Sequence, residues 1–195
     1  MANKMNKLIK NILLGTFFLY SLSLSAKNVN VAELDIGGIK LGMNPDQVIE
    51  KIVDTYQIEK QKLSIGDRRS EGVEYVSEIS YNSKKMNIRV KFCCTREGKD
   101  NTPLVVVEYI SYGIPFTVEN KKSMRDMALS KYGEPSKKTK NDIYWCDHLG
   151  KSPFTCATYE PKLHLTNTNI YLKDEGYSKR LKEFLRKKKI VKPKF

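Results

Sequence analysis

The chain has 195 residues and carries 35 Lys and Arg against 22 Asp and Glu, a formal charge of +13. That length fits one domain, or two small halves sharing a core. The charge points to anionic partners, and the export signal at the start of the chain argues against nucleic acid as one of them.

Residues 1–26 read as a cleavable secretory signal peptide. Lys4, Lys7 and Lys10 form a positive start with no acid among the first ten residues. An apolar run follows from Ile12 to Leu24, and Ser23, Ser25 and Ala26 close it with small side chains. The run of roughly 13 residues is short of the ~20 apolar residues that a membrane-spanning helix needs. The cut falls after Ser25 or Ala26, and no cysteine near either position offers a lipid anchor. The mature chain, residues 27–195, is therefore expected in the periplasm or secreted. Losing the leader removes three lysines and no acid, so about +10 remains on it. Lipid head groups, cell-surface polymers and acidic protein surfaces all fit that charge.

In chain order, the first helix starts at Asn44 as N-cap, with Pro45 at its first position and Gln47 placed to complete a capping box. Val48, Ile49, Ile52, Val53 and Tyr56 form its apolar stripe against Asp46, Glu50, Lys51 and Asp54. Val73, Tyr75, Ile79 and Tyr81 then alternate with polar residues. Asn82-Ser83-Lys84-Lys85 turns the chain into Met86, Ile88, Val90 and Phe92, which gives a hairpin. Cys94 shares the parity of that apolar face, whereas Cys93 points the other way. Leu104 to Tyr112 reads as a central strand. A second helix runs from the cap Thr117, with Met124, Met127, Ala128 and Tyr132 as its apolar face and Gly133 and Pro135 as its stop. Short strands follow at 143–146, 156–159, 163–165 and 169–172. The chain closes with a basic amphipathic helix, 177–190, in which Tyr177, Leu181, Phe184 and Leu185 share a face.

Strands running consecutively after a helix imply antiparallel pairing, so this pattern predicts an α+β fold. It comprises two helix-plus-antiparallel-sheet repeats, residues 31–112 and 113–195, with the helices on one face of a sheet and a C-terminal basic helix. The echo of Gly38-Ile39-Lys40-Leu41 in Gly113-Ile114-Pro115-Phe116 supports the duplication.

Catalytic signatures are not found: no Gly-x-Ser-x-Gly, no His-Glu-x-x-His, no phosphate-cradling glycine loop and no calcium-loop spacing. Four cysteines in an exported chain suggest disulfides. Cys146 and Cys156 flank a polar stretch with Gly150 and Pro153 that can turn back, and are expected to bridge. The same residues with His148 and His164 could be drawn as a zinc site, but oxidation would consume both thiols. Neither metal nor cofactor is expected. The basic tail, Lys179, Arg180, Lys182, Arg186, Lys187, Lys188 and Lys189, either keeps the protein soluble or grips an anionic surface. The tyrosines Tyr75, Tyr81, Tyr109, Tyr112, Tyr144, Tyr159 and Tyr171 fit half-buried strand positions, or a recognition surface if the sheet face is open.

The segment Ile36-Gly37-Gly38-Ile39-Lys40-Leu41-Gly42-Met43-Asn44-Pro45-Asp46-Gln47-Val48 resembles the opening of many small exported bacterial proteins. Lys131-Tyr132-Gly133-Glu134-Pro135 resembles the helix end that precedes the sheet in the same group. Both are similar to segments of the SmpA/OmlA-type and β-lactamase-inhibitor-like domains. The resemblance implies a helix packed on an antiparallel sheet and a role in binding envelope or secreted proteins. It carries over no inhibitory residue. The expected function is a non-catalytic protein-binding module, engaging its partner through the sheet face or through the loop near Trp145, His148 and Cys156. The alternative is attachment of the basic tail to anionic lipid or polymer.

Overall fold

Two α-helices begin where their caps dictate, in a computed structural model that describes residues 30–70, 73–96, 103–150, 156–176 and 179. Helix α1 (Pro45–Tyr56) opens with a complete capping box: the Asn44 side chain accepts from the Gln47 N–H, and the Gln47 side chain accepts from the Asn44 N–H, both at 3.0 Å. Val48, Ile49 and Ile52 are buried. Helix α2 (Val118–Tyr132) starts at Thr117, whose hydroxyl accepts from the Asn120 N–H, and stops at Gly133 with φ 74°. Its buried row is Met124, Ala128 and Tyr132, spaced four apart, while Met127 is 64% exposed. The helix thus buries one narrow row, and the expected place of Met127 on the apolar face is corrected.

The strands are β1 (Asp35–Ile36), β2 (Ile39–Lys40), β3 (Ser64–Ser70), β4 (Val73–Asn82), β5 (Asn87–Arg96), β6 (Pro103–Gly113), β7 (Lys137–Lys138), β8 (Asp142–Cys146), β9 (Pro161–Thr166) and β10 (Asn169–Asp174). The first two make a small hairpin. The others form one eight-stranded sheet in the order β3-β4-β5-β6-β10-β9-β8-β7, with every pairing antiparallel.

This overturns the expected α+β fold of two helix-plus-antiparallel-sheet repeats. Among the described residues the protein is mostly β, with ten strands and two α-helices. Strand β6 pairs with β5 on one side and β10 on the other, so strands from both halves of the chain join in a single sheet over a single core. Strand β3 adds seven residues whose sequence, Ser-Ile-Gly-Asp-Arg-Arg-Ser, shows no apolar alternation. An edge strand can form this way, because backbone pairing on one side holds it while its charges face water. The leader, residues 1–26, lies outside the described residues, as does the C-terminal basic helix except Lys179.

One face of the sheet is packed. Ile79, Val90, Ile110, Leu172, Leu163 and Trp145 sit opposite one another across six successive strands, all buried. Ile88, Tyr112, Ile170, Leu165 and Ile143 form the next row, and the buried residues of both helices belong to the same cluster. The β1–β2 hairpin closes one end. Its turn needs Gly37 and Gly38, at φ 61° and 79°, and a Cβ on Gly37 would collide with the Tyr56 phenol. Beyond the end of β10, the backbone of Gly42 and Met43 takes over the free side of β6: the Gly42 N–H donates to the Val107 carbonyl at 3.0 Å, and the Val107 N–H donates to the Met43 carbonyl at 2.9 Å. Asp35 ties the hairpin to α2. It accepts from Lys131 Nζ and from the Gly38 N–H, each at 2.7 Å, and its carbonyl accepts from the Tyr132 hydroxyl. Burial opposes ionisation of Asp35, but those hydrogen bonds and the charges of Lys131 and Lys40 outweigh it and hold the carboxyl below the usual carboxylate range.

Candidate functional site on the helix-free face

Alternation along each strand sends every second side chain to the face that, among the described residues, carries no helix. From β5 to β8 those positions bring Lys91, Tyr109, Tyr171, His164 and Tyr144 into one row. Lys91 stands opposite Tyr109, and Tyr171, His164 and Tyr144 stand opposite one another on β10, β9 and β8. Tyr109 and Tyr171 are diagonal neighbours, since Tyr109 pairs with Lys173.

The rings are in contact all along the row. Tyr144 and His164 are stacked, with centroids 4.3 Å apart and planes 6° from parallel. His164 to Tyr171 is 5.8 Å, and Tyr171 to Tyr109 is 6.2 Å. The Lys91 ammonium sits 5.6 Å from the Tyr109 ring centre. Neighbouring strands lie about 4.8 Å apart, so parallel rings at nearly that spacing must stand on edge. They turn their faces to each other and their edges outward. Each such contact stabilises the sheet by about 0.5–1.5 kcal/mol beyond area burial. A base or a sugar ring docks on the face of an aromatic ring, and in this row those faces are largely taken. What remains outward is a line of ring edges and phenol groups.

Asp142 fixes the middle of the row. Its Oδ1 lies 2.9 Å from His164 Nε2. That hydrogen bond is the main reason its carboxyl is held below the usual carboxylate range; burial opposes the shift, and side-chain hydrogen bonds from Thr166 and Thr139 add to it. An ionised carboxylate only accepts, so Nε2 carries the proton, and the tautomer and the ring plane are set together. Burial, followed by the Asp142 charge, pushes the Tyr144 phenol up; burial, followed by Tyr109, does the same for Tyr171. Both phenols are protonated at neutral pH and offer a donor and an acceptor.

Charges surround the rings, and most are already paired. Arg89 meets Glu78 at 3.1 Å, and Lys162 and Lys173, opposite each other in register, share Glu175. Hydrogen bonds from those two lysines hold the Glu175 carboxyl below the usual range.

The Cys146–Cys156 disulfide is present and both cysteines are buried. Trp145, expected in a binding loop, is corrected: it is fully buried on the helix-covered face, donates through Nε1 to the Gly133 carbonyl at 3.1 Å, and packs edge-on against Tyr132. A side chain so placed is core. His148 is exposed and pairs with Glu160 at 3.1 Å, on the disulfide loop rather than in the ring row. Lys179 lies over the Tyr159 ring at 4.5 Å. Arg180, Lys182, Arg186, Lys187, Lys188 and Lys189 lie outside the described residues. Cys93 is half-buried opposite Val106.

Sequence reasoning treated the tyrosines as one group, and the structure divides them. Tyr81 and Tyr112 pack toward the core, whereas Tyr109, Tyr144 and Tyr171 form the outer row. His164, a candidate zinc ligand by sequence, is the centre of that row. Parity was the available signal, because Leu163 and Leu165 face the core and residue 164 must face away. Among the described residues no group of three His, Cys, Asp or Glu is placed to hold a metal ion, and no helix is long and apolar enough to cross a membrane. No protein-family model, curated protein or solved structure matches the chain.

Proposed function

We propose that this chain is an exported, non-catalytic binding module that recognises a protein partner through the helix-free face of its sheet. The observation that carries this reading is the edge-on row Tyr109–Tyr171–His164–Tyr144. Tyrosines held rigid by their neighbours present apolar edge and hydrogen-bonding hydroxyl together at little entropic cost, which suits protein interfaces. The size is adequate. Eight strands at about 4.8 Å spacing span roughly 34 Å, and strands of about 20 Å give a face near the ~800 Å² per partner of a standard interface. Export is supported by the leader sequence and by the buried Cys146–Cys156 bridge, which persists in oxidising compartments. The resemblance to exported binding domains implies the same class of partner.

The test uses the mature chain as bait in an envelope extract and in culture medium, beside a Tyr109→Ala/Tyr171→Ala variant and a Phe116→Ala variant on the helix side. A protein retained by the parent and by Phe116→Ala, and lost with the double variant, supports the reading. A partner retained equally by all three sinks it.

A further inference from the structure

We infer that the partner presented to this face is an acidic protein surface, whose carboxylates meet the cations flanking the ring row. This rests on the reading of the face as a docking surface and adds the chemistry of what docks. The charges are uneven. Among the described residues the face carries Arg68, Arg89, Lys91, Lys137, Lys162 and Lys173, against Glu78, Glu108, Asp142 and Glu175 at or beside it. Three of those acids are already engaged in place: Glu78 is neutralised by Arg89 and Glu175 by two lysines, and Asp142 is hydrogen-bonded to His164. The face therefore offers a partner no unpaired carboxylate at these three positions.

Lys91 stands apart from this pairing. Its ammonium meets no carboxylate among the described residues; it is exposed, and it is held beside the ring row by the Tyr109 face. A basic partner would meet Lys91 at the head of the row and the Lys162–Lys173 pair farther along, with repulsion at each. An acidic one would cap Lys91 and share the lysines now held by Glu175. Complementary charge of this kind sets partner choice and association rate more than raw affinity. A free polyanion is the less suitable occupant, because the phenol edges between the cations need a surface with hydrogen-bonding and apolar groups of its own. A sulfated polysaccharide offers sugar rings, which dock on aromatic faces, and in this row those faces are largely taken.

The test needs probes of defined chemistry: random copolymers of Glu and Tyr, random copolymers of Lys and Tyr, and heparin. Each is titrated into the ¹⁵N-labelled mature chain at low and moderate salt, with per-residue shifts separating this face from the basic tail. The expected result is saturable shifts at Lys91, Tyr109, His164 and Tyr171 with the Glu–Tyr copolymer and none there with Lys–Tyr. Affinity should fall about tenfold in Lys91→Glu, in keeping with loss of one interfacial charge contact. Shifts confined to residues beyond 176, or heparin shifting the same four residues as strongly as Glu–Tyr, would overturn the inference. Binding lost in Tyr109→Ala/Tyr171→Ala but unchanged in Lys91→Glu would overturn it while leaving the docking face intact. Binding indifferent to both variants would remove the two together.

Discussion

Replacing both bridged cysteines, Cys146→Ala/Cys156→Ala, should lower stability by about 3 kcal/mol. The bridge spans a sequence separation of 10, and closing a loop of that size reduces the entropy of the unfolded chain by about 2.7 kcal/mol at 25 °C. Both cysteines are buried, so losing their packed sulfur atoms adds a few tenths. For a chain of this size about 3 kcal/mol corresponds to a fall in Tm of roughly 6–12 °C. The natural assay is urea unfolding followed by fluorescence, because Trp145 is the single tryptophan, is fully buried, and is the residue before Cys146. The parent measured in reductant, which keeps its sulfur atoms, should lie a few tenths of a kcal/mol above the double variant. A double variant within about 0.5 kcal/mol of the oxidised parent, well under the loop-closure figure, would refute the reasoning.

Asn44→Ala removes one half of the α1 capping box and should cost about 1 kcal/mol in urea unfolding. Gly37→Ala should cost more, at least about 2 kcal/mol, because it places a side chain at positive φ and against the Tyr56 phenol. The Asp142 carboxyl is held below its ordinary value in the folded chain, so the unfolded chain takes up the proton first. Its contribution is complete above the unfolded value near 3.8 and is lost as pH falls through the lower folded value. Acid titration of Asp142→Asn should therefore show a shallower loss of stability below pH 4 than the parent, and an unchanged acid limb would contradict this.

The parts of the fold legible in the sequence are those fixed by local chemistry. The Asn44–Gln47 box, Pro45, the Thr117 cap and the Gly133 stop place both helices to the residue, because each satisfies particular backbone groups at a helix end. The turn after Asn82 places the β4–β5 hairpin, and the Cys146–Cys156 spacing gives the bridge. What escapes is decided by pairing across long sequence distances. The β6–β10 contact, which merges the strands into one sheet, joins residues about sixty apart and leaves no local trace. Strand β3 is polar because it is an edge. Trp145 lies in the short strand expected at 143–146 and borders the disulfide loop, so the sequence leaves open whether it packs or binds, whereas the register puts it opposite Leu163 in the core. The ring row is the extreme case. Tyr109, Tyr144, His164 and Tyr171 come from four strands, and only their register shows that they touch.

The claim that the helix-free face meets the partner is tested most directly by photo-crosslinking in the natural host. Benzoyl-phenylalanine is placed at position 171, in the ring row, or at position 118, exposed at the start of α2. The account predicts a discrete protein adduct on irradiation from position 171 and none from position 118. Adducts from 118 with none from 171 would contradict it.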